Sequence, residues 1–98
     1  MIDWGKLGGF EWDRGNIDKS YEKHGITPNQ AEEVFLDEKL GVTADIKHSQ
    51  KEKRFIAVGK NFDNKVLFII FTVRKNKLRI ISARIANKQE RSKYEKSA

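Results

Sequence analysis

The stretch from Val66 to Ala86 constrains the fold of this chain more than any other. Two runs rich in β-branched and aromatic residues, Val66–Arg74 and Leu78–Ala86, flank the polar break Lys75-Asn76-Lys77. A short break containing Asn between two such runs is a hairpin signal. The first run is almost continuously apolar, which predicts a central strand covered on both faces. In the second run, Arg79 and Arg84 interrupt the apolar pattern. A guanidinium near a core is costly unless it meets an anion or a carboxylate, and a phosphate suits its planar fork. Strict alternation sets Arg79 and Arg84 on opposite faces. They can share a site only if a bulge intervenes or one side chain wraps round a sheet end.

The segments around this hairpin carry their own signals. Met1 to Gly9 holds Gly5, Gly8 and Gly9 and reads as a flexible lead into a short edge strand, Phe10-Glu11-Trp12. Asp13 suits a helix N-cap, and Ile17, Tyr21 and His24 fall on one face of a helix expected from about Arg14 to His24. Gly25 follows as a residue able to take a left-handed conformation. Thr27-Pro28-Asn29-Gln30 announces a second helix with a capping box, ending near Leu36 or Asp37. A strand is expected over Leu40–Ala44, and Asp45–Lys53 reads as either a loop or a ragged strand extension. Arg54–Gly59 is a clearer strand, with a turn at Asn61–Asn64 leading into the hairpin. A final helix is expected over Asn87–Glu95, where Asn87-x-x-Glu90 resembles a capping box.

At 98 residues, 38% hydrophobic and 35% charged, the chain is expected to be one domain, residues 1–98, with a small core under a charged surface. Its longest apolar run is too short to span a bilayer. Nothing at the N-terminus pairs a basic start with an apolar stretch, so no secretory signal and no membrane partner are expected. The absence of cysteine removes disulfides and thiolate metal sites and is compatible with the cytoplasm. No H-E-x-x-H, Walker or dinucleotide-binding pattern appears, so neither a metal nor a cofactor is expected. The net charge of +6 is unevenly spread: Arg74–Ala98 holds nine cationic residues against Glu90 and Glu95, a local net of +7. A basic C-terminal third points to nucleic acid or to an acidic protein. A solvated basic surface that aids solubility is the plainer alternative.

Candidate functional residues follow from these placements. Arg54, Arg79 and Arg84 lie in or beside strands, where rigid anion-binding groups are best held. His24 sits at an expected helix C-terminus, where it can either cap carbonyls or act as an acid or base near neutrality. His48, among Lys47, Ser49, Gln50 and Lys51, reads as an exposed loop residue.

The sequence resembles the BrnT toxins of bacterial type II toxin–antitoxin systems. The likeness rests on Phe10-Glu11-Trp12-Asp13, Glu22-Lys23-His24-Gly25-Ile26, Ala31-Glu32-Glu33-Val34-Phe35, Arg54–Gly59, Arg79-Ile80-Ile81-Ser82-Ala83-Arg84-x-Ala86 and Glu90-Arg91-x-x-Tyr94. The family often carries Asn where this chain has Ser20. The resemblance implies an α+β, RelE-like fold: two N-terminal helices on a mostly antiparallel sheet of about four to five strands, then a C-terminal helix. It also implies a metal-independent endoribonuclease of the bacterial cytoplasm. Its RNA cleavage and growth inhibition would be blocked by a BrnA-type, DNA-binding antitoxin in a heterotetrameric complex. On that reading His24, Lys23, Arg54, Arg79 and Arg84 are catalytic candidates, and Trp12, Tyr94, Arg91 and Lys88 contact RNA. The competing reading is a non-catalytic basic module that binds nucleic acid or an acidic protein.

Overall fold

A computed structural model describes residues 8–12, 25–48 and 51–97. Five strands form one mixed sheet. They are β1 (Phe10–Trp12), β2 (Gly41–Ala44), β3 (Phe55–Lys60), β4 (Val66–Arg74) and β5 (Lys77–Ile85), in the spatial order β1-β5-β4-β3-β2. All neighbours are antiparallel except β1 and β5, which run parallel. The apolar run β4 is therefore the central strand. Lys75 and Asn76 close the β4–β5 hairpin as a two-residue turn with φ of 48° and 62°. Positive φ at both central residues gives the turn the twist of the strands it joins.

Helix α1 (Pro28–Glu33) opens with the expected capping box: Gln30 N–H donates to Thr27 Oγ1, and Thr27 N–H donates to Gln30 Oε1. The α-helix ends sooner than its apolar spacing suggests and tightens into a 3₁₀ turn over Val34–Leu36. Before α1, Gly25 has φ +66°, the left-handed conformation expected there. The helix expected over Arg14–His24 lies outside the described residues. Among the described residues the N-terminal half holds one α-helix, α1. Asp45–Lys53, left open between loop and strand, contains a 3₁₀ turn at Ile46–His48. Helix α2 (Lys88–Ser97) begins with a reciprocal box, Glu90 N–H donating to Asn87 Oδ1 and Asn87 N–H to Glu90 Oε1. No helix among the described residues is long and apolar enough to cross a membrane.

The core lies between one face of the sheet and α1. Leu67, Ile69 and Phe71 of β4 and Leu78, Ile80 and Ala83 of β5 meet Ile26, Ala31 and Val34 there. A chain of rings, Phe10–Phe35–Phe71–Phe55, crosses this layer with centroids 5.2–5.6 Å apart. Gly59 marks the closest approach of sheet and helix. A Cβ at that position would stand 2.9 Å from Val34 Cγ1 and 3.2 Å from Asp37 Oδ2. No helix from the N-terminal half of the described chain covers the opposite face. Helix α2 packs at one end of it, where Tyr94 meets Val58, Val66 and Ala86.

Candidate functional site

The face opposite α1 owes its composition to one irregularity. Along the hairpin Ile70 pairs with Ser82 but Phe71 pairs with Ile80, so Ile81 is an extra residue in β5. This bulge resets the alternation between Arg79 and Arg84. Arg79 lies opposite Thr72 and Arg84 opposite Phe68, and Thr72 and Phe68 share a face of β4. Both arginines therefore project from the face that α1 leaves uncovered.

Arg79 belongs to a row that crosses the sheet. Parallel pairing places Glu11 of β1 beside it, and its guanidinium stands 3.9 Å from the Glu11 carboxylate. On the other side lies Thr72, 2% exposed, whose Oγ1 donates to the carbonyl of Lys53 at 2.7 Å. Continuing the β3–β4 register one step beyond Phe55 sets Arg54 opposite Thr72. Arg54 and Arg79 thus flank Thr72 from neighbouring strands, with backbones about 10 Å apart. Long guanidinium side chains can converge on one phosphate across that distance. Glu52 completes the row. It accepts from Arg74 Nε at 2.9 Å and Nη2 at 3.1 Å, and it feels the charges of Arg54 and Arg79. The Arg74 hydrogen bonds, supported by those charges, hold its carboxyl below the usual range.

Arg84 lies on the same face about four residues, or about 13 Å, further along the strand. Its Nη1 and Nη2 donate to the two carboxylate oxygens of Glu90 at 2.8 Å each, and Nη1 also donates to the Ile85 carbonyl. The guanidinium stacks 4.1 Å above the centre of the Phe68 ring. The bidentate hydrogen bond to Glu90 raises its pKa and lowers that of Glu90. Because Glu90 also caps α2, Arg84 ties that helix to the sheet.

Two of the residues expected to touch RNA are engaged within the fold. Tyr94 is 7% exposed, and its hydroxyl donates to Asp37 Oδ2. Burial and that bond raise its pKa to about 12. Trp12 is half-buried against the core, and its Nε1 donates to Glu32 at 3.1 Å. Arg91 and Lys88 are exposed on α2. Lys23 and His24 lie outside the described residues, and His48 is placed only by its backbone in the 3₁₀ turn. Among the described residues no three His, Cys, Asp or Glu side chains gather as a metal site.

Sequence reasoning missed the carboxylates of this face. Glu11 reaches Arg79 only because β1 pairs with the far end of the chain, and nothing local announces that pairing. Glu52 could have been noticed as the sole acidic residue between Asp45 and Asp63. Its partner Arg74, however, lies 22 positions away.

No curated protein matched the chain. Its fold resembles the crystal structure of the ribonuclease toxin BrnT of Brucella abortus, with a TM-score of 0.64 and 24% identity, covering 82% of this chain and 97% of that one. A family model described as "Ribonuclease toxin, BrnT, of type II toxin-antitoxin system" matches residues 12–90. That match runs from the end of β1 through the hairpin to the start of α2, so the chain belongs to the BrnT family of ribonuclease toxins.

Proposed function

We propose that this chain is the toxin of a type II toxin–antitoxin pair and cleaves RNA without a metal ion, using the arginine row as its phosphate site. The observation that carries the reading is the placement of Arg54 and Arg79 on either side of Thr72, on a sheet face that α1 leaves open, in a chain of this family. Metal-free cleavage requires removal of the 2′-OH proton, stabilisation of charge on the pentacoordinate phosphate, and protonation of the leaving 5′-oxygen. Arg54 and Arg79 would stabilise that charge, while Glu11 beside Arg79 and Glu52 within reach of both charges offset them before RNA arrives. His24 is the proposed acid or base, its ordinary pKa being suited to proton transfer near neutrality, with Lys23 beside it as an auxiliary cation. Arg84 adds positive potential to the face but acts chiefly through Glu90. Arg91 and Lys88 extend the basic surface towards flanking phosphates.

The same reading includes a RelE-like arrangement, and a BrnA-type antitoxin that silences the enzyme by covering the arginine face. It also includes a heterotetrameric complex, growth arrest on unregulated expression and action in the bacterial cytoplasm. The test is incubation of purified protein with varied RNAs, with and without ribosomes, in the presence of EDTA. Cleavage that persists in EDTA supports the reading. Intact RNA in every condition argues for the non-catalytic alternative, and activity that EDTA removes and a divalent ion restores overturns the metal-free step.

A further inference from the structure

At the end of the sheet remote from the arginine row, a groove of about 570 Å³ opens between the 3₁₀ turn after α1, the β3–β4 turn and α2. Three features set it apart. Leu36 and Phe62 line it and are 71% and 68% exposed, large apolar side chains left in water on a small protein. Charge there is reversed: Glu33, Asp37, Glu38 and Glu95 outnumber Lys39 and Lys60, giving a net of −2 in a chain of +6. Asn61, also in the lining, is 4% exposed. Its Oδ1 accepts from Asp63 and Lys65 N–H, but its Nδ2 has no partner. Leaving that buried donor without an acceptor costs free energy in the free protein.

We propose that this groove is a protein-docking site for a lysine- or arginine-rich segment that presents a large apolar side chain to Leu36 and Phe62. Charge complementarity selects that occupant. The carboxylates repel nucleic acid and acidic peptides but attract a basic segment, and the two apolar side chains supply the desolvated centre that anchors an interface. The site is separate from the RNA face. Arg54 and Lys60 lie at opposite ends of β3, about 20 Å apart, so a segment seated here leaves the arginine row open. The chain can thus hold a protein partner and RNA together. The proposal stands whether or not the chain proves to be a ribonuclease.

The test uses the full chain and an amphipathic helical peptide of about 15 residues built from leucine, alanine and lysine, with a counterpart carrying glutamate for lysine. Binding is followed by fluorescence anisotropy and by amide chemical shifts. The basic peptide should bind saturably and move the amides of Leu36, Asn61 and Phe62, while the acidic counterpart should not bind. Phe62→Ser should weaken binding by about tenfold or more, as expected for loss of an apolar anchor. Glu38→Lys combined with Glu95→Lys should weaken it without altering the apolar contact. All three positions are exposed, so these variants should fold, which circular dichroism verifies. No saturable binding, affinity indifferent to Phe62→Ser, or shifts centred on Arg54 and Arg79 would each overturn the proposal.

Discussion

Arg84→Ala separates a tether from a catalytic group. The substitution removes a bidentate pair with Glu90 at 2.8 Å, a bond to the Ile85 carbonyl at 3.2 Å and the stack on Phe68 at 4.1 Å. The Arg84 and Glu90 side chains are 37% and 20% exposed, which places the pair between a surface salt bridge and a buried one. Exposed pairs contribute up to about 1 kcal/mol, whereas breaking a buried pair costs about 3–5 kcal/mol. With solvent screening discounted and a small cation–π contribution included, the expected loss is about 2 kcal/mol. In a chain of this size, that loss lowers Tm by roughly 8–16 °C. Urea titration gives the stability change, and a double-mutant cycle with Glu90→Ala isolates the coupling, expected at about 1–2 kcal/mol. RNA cleavage measured well below the lowered Tm should stay within a few-fold of the parent rate. A variant with unchanged stability and a rate reduced by about 10²–10³ would refute this assignment and place Arg84 on the reacting phosphate.

Other consequences follow from the same packing. Tyr94 has its pKa raised from 10.0 to about 12, so its contribution is complete below pH 10 and is lost as pH rises through about 12. That linkage amounts to at most about 3 kcal/mol, and the stability gap between the parent and Tyr94→Phe, followed by urea titration, should shrink across this window. Tyr94→Phe should also retain RNA cleavage, because the hydroxyl serves Asp37. Gly59→Ala drives a methyl into Val34 and the Asp37 carboxylate and should cost about 1–3 kcal/mol in thermal or urea unfolding. On the acid side, Glu90 has a pKa held below its ordinary 4.5, chiefly by Arg84. Its contribution is present above that value and is lost as pH falls through the folded-state pKa, so Glu90→Gln should flatten the acid limb of the stability curve.

The parts of this fold that were legible in the sequence are those written in neighbouring residues. Thr27 with Gln30 and Asn87 with Glu90 mark both helix starts, because each box is closed within one turn. The hairpin follows from its two runs and a break that tolerates positive φ. The bulge at Ile81 stood in the sequence only as a condition: if Arg79 and Arg84 were to share a face, the alternation had to be reset between them. No residue there announces where, since the irregularity depends on how β5 meets the longer register of β4. Long-range pairings were harder to read. Glu11 reaches Arg79 through parallel pairing of strands from opposite ends of the chain, and Glu52 reaches Arg74 through a loop. Tyr94 read as an aromatic on a basic helix, yet the fold turns it inward because Asp37, 57 positions earlier, offers a carboxylate beside Val58 and Val66. Arg84 showed as a costly charge in an apolar run, and the sequence left open whether phosphate or carboxylate met it. Glu90 meets it.

The central claim, that the row through Arg54, Thr72 and Arg79 holds the phosphate during cleavage, is tested most directly by single-turnover RNA cleavage with Arg79→Ala. The Arg79 side chain is 25% exposed and stands 3.9 Å from Glu11, an ion pair between surface and buried whose loss should cost about 2 kcal/mol, so rates are compared well below the lowered Tm. The cleavage rate should fall by about 10²–10³, with Arg79→Lys recovering only part of it because an ammonium lacks the planar fork. A folded Arg79→Ala variant that cleaves RNA at the parent rate would contradict the account.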